Sequence, residues 1–263
     1  MTKPIPVPQR IDDYVRLLES GTPFTHANIG GDGEFMAITG MVGTNSDGRA
    51  FNAEVGAELA KVLLEPRLTF HGYNPGGRED PRRTRAEKWL RTHGINVPVQ
   101  TASTLEDPEF GKAAINVRWV HKEIISSANV RGELGPFIRA LKKRTVIVVA
   151  NNTVAESFIA DVLGAVDWLL VPPDTGIGDL DEIEQQVSFL LGRWGPGFEG
   201  VLTWSLGYPT KVLAWRIAQS HPGVTQIDMG ACWDPYSGVL NRHGYRRPEW
   251  KAAMETNLRE AME

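Results

Sequence analysis

From residue 145 onward the chain alternates between two hydrophobic periods. Residues 145–150 (TVIVVA) form a continuous apolar run, the pattern of a strand covered on both faces. Over 153–163, Val154, Phe158, Ile159 and Val162 recur at helical spacing and define one apolar side. A second run, 166–171 (VDWLLV), is followed by the turn-rich PPDTGIGD and by helical spacing over 180–191 through Leu180, Ile183, Val187, Leu190 and Leu191. The third run, 201–206 (VLTWSL), leads through Gly207 and Pro209 into a predicted helix over 210–219. There Val212, Leu213, Trp215, Ile217 and Ala218 leave little polar surface. A fourth strand is predicted at 224–229 (VTQIDM). Strands joined through helical crossovers pair in parallel, so the prediction is an α/β fold with a mostly parallel, doubly wound sheet flanked by helices.

The first half fits the same sheet. Ile11, Tyr14, Val15 and Leu18 make an amphipathic helix that stops at Gly21. Residues 24–29 (FTHANI) read as a strand and run directly into Gly30-Gly31-Asp32-Gly33-Glu34. A helix is predicted over 52–64, with Val55, Leu59, Val62 and Leu63 on one face, and LTFHGY reads as the next strand. Asp80-Pro81 and Asp107-Pro108 carry the cap-then-proline signal of helix starts. The last segment, 248–263, reads as a surface helix packed through Trp250, Met254 and Leu258. There is no internal repeat and no linker-like stretch. A single domain over 1–263 is therefore expected, with 72–120 carrying loops or insertions.

Composition narrows the classes. With 41% hydrophobic and 23% charged residues the chain is an ordinary globular one, and a net charge of -4 supplies no global field to attract nucleic acid or an anionic membrane. The single cysteine, Cys232, excludes an internal disulfide framework and a cysteine-based zinc site. No apolar run approaches the roughly 20 residues of a membrane span, and MTKPIPVPQR lacks the apolar region of a secretory signal. A cytoplasmic protein without a membrane span is expected. The 27 glycines and 17 prolines exceed the usual share, and many punctuate the strand-to-helix junctions.

In open α/β sheets ligands bind beyond the carboxyl ends of the strands. Here those ends are followed by Gly30 to Glu34, by Asn151 and Asn152, by Asp174, by Gly207, and by Asp228 with Asp234 after it. Asp32 and Glu34 offer hard oxygen donors suited to Mg²⁺ or Mn²⁺, and their glycine neighbours allow close approach to a diphosphate. The same residues also suit a tight Asp-Gly turn. Asp107-Pro108-Glu109 and Asp179-Leu180-Asp181 have similar spacing but sit at helix starts, where carboxylates cap free N–H groups.

Ser205 to Lys211 forms a glycine turn entering a helix, which either presents N–H groups to an anion with Lys211 adding charge, or is an ordinary junction. It is not a P-loop. The arginine-rich 78–91 reads as a phosphate or nucleic-acid contact, or as a solvated helix face interleaved with acids. None of the six histidines has metal-type spacing, so each reads as structural or surface. Trp119, Trp168, Trp204 and Trp215 lie in apolar runs and read as core. Trp233, in a loop beside Asp234, is a candidate for stacking on a ligand.

With these motifs in order, the chain resembles the GT-D type glycosyltransferases, a family first labelled as a domain of unknown function. Gly31-Asp32-Gly33-Glu34 matches the family's Gly-Asp-Gly-Glu. Leu206-Gly207-Tyr208-Pro209-Thr210-Lys211-Val212-Leu213-Ala214 is similar to its Leu-Gly-Pro-Thr-Ala-x-Val-Leu-Ala. Gln226-Ile227-Asp228-Met229-Gly230 is similar to its Ala-Ile-Asp-Ile-Gly, with Tyr236 at the place of a later tyrosine. The likeness spans 11–236 and leaves 248–263 as a helical tail.

The resemblance implies a Rossmann-like fold and a metal-dependent glycosyltransferase. It implies that Asp32 and Glu34 hold Mn²⁺ or Mg²⁺ against the diphosphate of a nucleotide-sugar donor, a UDP-sugar. Gly31, Gly33, Asn151, Gly207, Thr210 and Lys211 are the expected donor contacts. Arg118, in a stretch resembling the family's Ser-Arg-Pro-Tyr, is expected on phosphate. Asp228 is expected in the cleft as a catalytic residue, and Asp234 is the candidate base for a hydroxyl acceptor on a glycan, a protein or a modified nucleobase. The chain has Ile29 where the family has arginine, Ala231 where it has histidine, and Trp233 at its next acidic position. Two alternatives therefore stand beside transfer: hydrolysis of a nucleotide sugar or sugar phosphate, and an inactive nucleotide-sugar-binding module. The sequence sets no oligomeric state.

Overall fold

The computed structural model describes residues 4–29, 33–44, 50–73, 81–97, 114–195, 197–240 and 243–263. The first third contains α1 (Ile11–Ser20), β1 (Thr25–Asn28), α2 (Glu34–Ile38), β2 (Gly43–Thr44), β3 (Ala50–Phe51), α3 (Ala53–Leu64) and β4 (Phe70–Tyr73). Then follow α4 (Pro81–Thr92), β5 (Trp119–His121), α5 (Ile124–Arg131), α6 (Gly135–Lys142), β6 (Val146–Asn151) and β7 (Asp167–Val171). The remainder is α7 (Leu180–Arg193), β8 (Val201–Ser205), α8 (Pro209–Ser220), β9 (Thr225–Asp228) and α9 (Glu249–Met262).

Seven strands make one sheet in the order β5-β4-β1-β9-β8-β6-β7, with every pair parallel. A separate antiparallel ribbon joins β2 to β3. The doubly wound α/β architecture expected from the hydrophobic pattern is thus present. Its physical cause shows most plainly in β6. Val146, Val148 and Ala150 face one apolar cluster, with Tyr14, Leu18, Phe137 and Leu141. Ile147 and Val149 face the other, with Leu59, Val62, Val187 and Leu213. A strand coated on both sides needs an unbroken apolar run.

Local signals set the boundaries. Gly21 adopts φ 69° and ends α1, and the Asn52 side chain accepts the Val55 N–H at 3.0 Å to start α3. Three expectations need correction. The helix predicted over 153–163 is instead a π-helical segment, Phe158–Val162, closed by Leu163 N–H on the Phe158 carbonyl at 3.1 Å. In it Phe158 lies stacked on Tyr236, with ring centroids 4.7 Å apart. The hydrophobic pattern did not reveal α5 and α6, which are eight residues each and separated by Gly132 at φ 77°. The tail helix α9 is no mere surface helix: Trp250, Asn257 and Ala261 are buried. Gly135 permits its close approach, since a Cβ there would lie 3.0 Å from the Asn257 carbonyl oxygen.

Candidate functional site

The strand order reverses direction twice. From β1 the chain moves outward to β4 and β5, while from β8 it steps inward to β9, and between these halves the crossovers leave a crevice. A cavity of about 740 Å³ opens there, within the range of small-molecule sites. Its floor is made by final strand residues, Asn28 of β1, Asn151 of β6, Ser205 of β8 and Asp228 of β9, together with Gly207 and Glu34.

Asp228 organises this floor. Its Oδ2 accepts the Asn28 N–H at 3.0 Å and the Lys211 ammonium at 2.8 Å, and its Oδ1 accepts the Gly230 N–H at 2.9 Å. Three donors, one of them charged, hold the carboxylate turned inward. The structure makes Asp228 the tie between β1, β9 and α8. Lys211 is itself buried, donates to the Gly207 carbonyl at 2.8 Å, and lies 4.0 Å from Glu34 Oε1. Gly207 turns the chain from β8 into α8 at φ 71°, a conformation that favours glycine.

Beside Asn28, the absent side chain of Gly72 is a structural requirement. A Cβ there would lie 2.9 Å from His26 Nε2 and 3.0 Å from Asn28 Cγ. His26 and His71 occupy adjacent central strands and face opposite sides of the sheet, His26 against Tyr14 and His71 against the Val62 carbonyl. Burial pushes both imidazoles down to about 4, so both are neutral at pH 7. Both side chains are buried.

The remaining expected residues divide. Asn151 and Asp234 line the cavity, Asp234 as the first residue of a buried 3₁₀ turn, Asp234–Ser237. Glu34 also reaches it, as the first residue of α2. Gly33 lies buried at the start of α2, where its carbonyl accepts the Ala37 N–H at 2.9 Å. Gly31 and Asp32 lie outside the described residues, as do Asp107 and Glu109.

Three expectations fail on geometry. Thr210 is fully buried, and its hydroxyl accepts the Leu206 N–H at 3.1 Å, closing the turn from within. Arg118 precedes β5 and so stands at the opposite edge of a parallel sheet; its guanidinium donates to the Ile5 carbonyl and lies 4.9 Å over the Phe70 ring. Trp233 is fully buried against Phe158, with centroids 5.6 Å apart, and belongs to the core. Asp174 is exposed, and Asp179 caps its own turn by accepting the Gly176 N–H at 2.8 Å.

One wall was not foreseen. Lys122, just before α5, and Ser126 and Ser127 within it, with Tyr245 and Arg247, complete the cavity. The strand-end argument applied to β5 would have found Lys122, because it follows Trp119–His121 directly. Among the described residues, no group of three or more His, Cys, Asp or Glu side chains is placed to hold a metal. Nor is any described helix long and apolar enough to cross a membrane.

No protein-family model matches the chain, and no curated protein sequence matches it significantly. Solved structures do. The chain is similar to a glycosyltransferase (DUF1792) from Streptococcus sanguinis, with 18% identity over 86% of this chain and 81% of that one and a TM-score of 0.52. A selenomethionine-substituted structure of domain of unknown function 1792 is 15% identical over 89% of this chain and 80% of that one, with a TM-score of 0.51. A third, a domain of unknown function 1792 described as having a distinct glycosyltransferase fold, is 14% identical over 89% and 80%, with a TM-score of 0.50. At such identities the likeness is one of fold.

Proposed function

We propose that this chain is a metal-dependent glycosyltransferase that takes a sugar from a nucleotide-sugar donor, a UDP-sugar, and passes it to a hydroxyl acceptor. The observation that carries this reading is the cavity itself: it lies at the carboxyl ends of β1, β6, β8 and β9, in a fold shared with structures described as glycosyltransferases. Glu34 contributes one hard oxygen donor at that place, and Asp32, two residues before it, would contribute the second. Mn²⁺ or Mg²⁺ sites of this kind use one or two carboxylates and leave the other positions to water and phosphate oxygens. When bound, the ion supplies charge neutralisation on the departing diphosphate.

The chain's own residues supply the rest. Lys211, fixed by Asp228 and the Gly207 carbonyl, places a positive charge at the floor without needing to reorganise. The acceptor oxygen bonds to the anomeric carbon, the bond from that carbon to the phosphate oxygen breaks, and its electron pair stays with the nucleoside diphosphate. Asp234, a carboxylate on the cavity wall, takes the acceptor proton. The acceptor is a hydroxyl of a glycan, a protein or a modified nucleobase.

A thermal-shift series with UDP and UDP-sugars, with and without Mn²⁺, tests the donor. A ligand at one hundred times its Kd stabilises the native state by about 2.7 kcal/mol. Stabilisation that requires both nucleotide and metal is expected; absence of any shift with nucleoside diphosphates or nucleotide sugars overturns the reading. Asp32→Asn and Glu34→Gln should remove the metal dependence, and Asp107→Asn should keep it. Free sugar released at the rate of donor turnover without acceptor would make the chain a hydrolase. Metal-dependent binding without turnover would make it a binding module.

A further inference from the structure

Behind the wall that carries Cys232, Asp234 and Tyr245, four side chains from four parts of the chain form one buried hydrogen-bonded cluster. Asn129 of α5 and Asn257 of α9 are both fully buried. The Asn129 amide nitrogen donates to the Cys232 carbonyl at 3.0 Å and to the Tyr245 hydroxyl at 3.2 Å. Its amide oxygen accepts the Tyr236 hydroxyl at 2.6 Å and the Asn257 amide at 3.1 Å. The Asn257 amide nitrogen also meets the Asn129 backbone carbonyl at 2.9 Å and the Tyr236 oxygen at 3.0 Å, while its oxygen accepts the Leu134 N–H at 2.7 Å. Both amides have a determined orientation, because the Leu134 N–H can only donate and the Cys232 carbonyl can only accept.

The location of this cluster is informative. A buried amide or hydroxyl costs about 1–3 kcal/mol unless its partners are in place, and apolar side chains would fill the same space without that cost. The chain buries two amides and two phenols where its last helix meets the cavity wall. Burial pushes both phenols, Tyr236 and Tyr245, well above their ordinary range, so they remain neutral hydroxyls. A satisfied network of this kind admits one arrangement of its members, whereas an oily contact tolerates several.

We propose that Asn257, acting through Asn129, is a positioning residue for the cavity, and that α9 is thereby part of the site rather than an appendage. The wall it fixes bears Asp234 and Tyr245 and meets the acceptor. The strand-end floor, with Asn28, Lys211 and Asp228, meets the donor and is held by its own hydrogen bonds through the Asp228 carboxylate. This division rests on the reading of the cavity as the place of sugar transfer.

Cys232, the single cysteine, is 2% exposed and lies in the fixed wall, so its labelling by a thiol reagent such as DTNB reports on that wall alone. Asn257→Leu removes the amide, Tyr236→Phe removes one hydroxyl, and Leu59→Ala lowers stability through the cluster on the other face of the sheet. Each protein is labelled well below its own Tm, titrated with UDP and Mn²⁺, and assayed for transfer from UDP-sugars.

Labelling should be about tenfold faster than wild type in Asn257→Leu and severalfold faster in Tyr236→Phe, but not in Leu59→Ala at matched stability. The UDP Kd should stay within about twofold of wild type while kcat falls about tenfold or more in Asn257→Leu. Labelling and kcat that merely track Tm in all three variants would overturn the proposal. If Asn257→Leu does not fold, Tyr236→Phe decides by the same measurements. If UDP binds to no variant and not to the wild type, the donor reading fails, and the labelling comparison still judges the positioning role.

Discussion

Lys211 and Asp228 show how much one buried pair can settle. Their side chains are 5% and 0% exposed, and the ammonium lies 2.8 Å from the carboxylate. Lys211→Met would leave Asp228 with two backbone donors and no counter-charge in the interior, a loss of about 3–5 kcal/mol, measurable as a lower midpoint in urea denaturation. It should also weaken nucleotide binding, because the floor would lose its only positive group among the described residues named there. These two residues were legible in the sequence as positions following strands, and so were Glu34, Gly207 and Asn151. Thr210 and Arg118 were misjudged for different physical reasons. The hydroxyl of Thr210 turns back to the Leu206 N–H, a choice made by the geometry of the turn. Arg118 depends on where β5 begins, and a shift of a few residues moves a side chain from one edge of a parallel sheet to the other.

Among the elements, α2 is the most dependent on its neighbour. A helix of five residues cannot hold itself together in water, so the placement of Glu34 at its start relies on packing against α3. Gly56 makes that packing possible, since a Cβ there would overlap the Ala37 carbonyl and lie 2.7 Å from its carbon. Gly56→Ala should therefore push α2 outward, cost about 1–3 kcal/mol, and reduce the stabilisation by UDP with Mn²⁺. Gly192→Ala, on α7 with nothing within 4 Å of the added carbon, should raise stability by about 0.5–1 kcal/mol in the same denaturation assay. The long elements after residue 145 were legible because each strand is coated on both faces and each helix on one. The eight-residue helices α5 and α6 were not, because so few positions sample a periodicity weakly, and the wall they support went unseen with them.

For the molecule as a whole, acid is the condition to which this core responds most directly. His26 and His71 titrate near 6.5 in the unfolded chain but only near 4 when folded, because burial disfavours their charged forms. Below pH 6.5 the unfolded state therefore binds protons that the native state refuses. Stability should be level above pH 7 and fall from pH 6.5 toward 4, by at most roughly 3 kcal/mol for each histidine. Denaturation midpoints across that range check the slope, and His26→Gln should flatten it. The single parallel sheet at the root of this behaviour was legible in the strand-helix alternation. Its order was not, because the pairing of β1 with β9 joins segments with no local signal in common. That pairing, sealed by the Asn28 N–H on Asp228, closes a loop of 200 residues. As a ribosome releases the chain, β1 emerges some 200 residues ahead of its neighbour β9. The cavity floor cannot form before β9 arrives, and until then the central strand presents an open edge that the cell must keep from other partners.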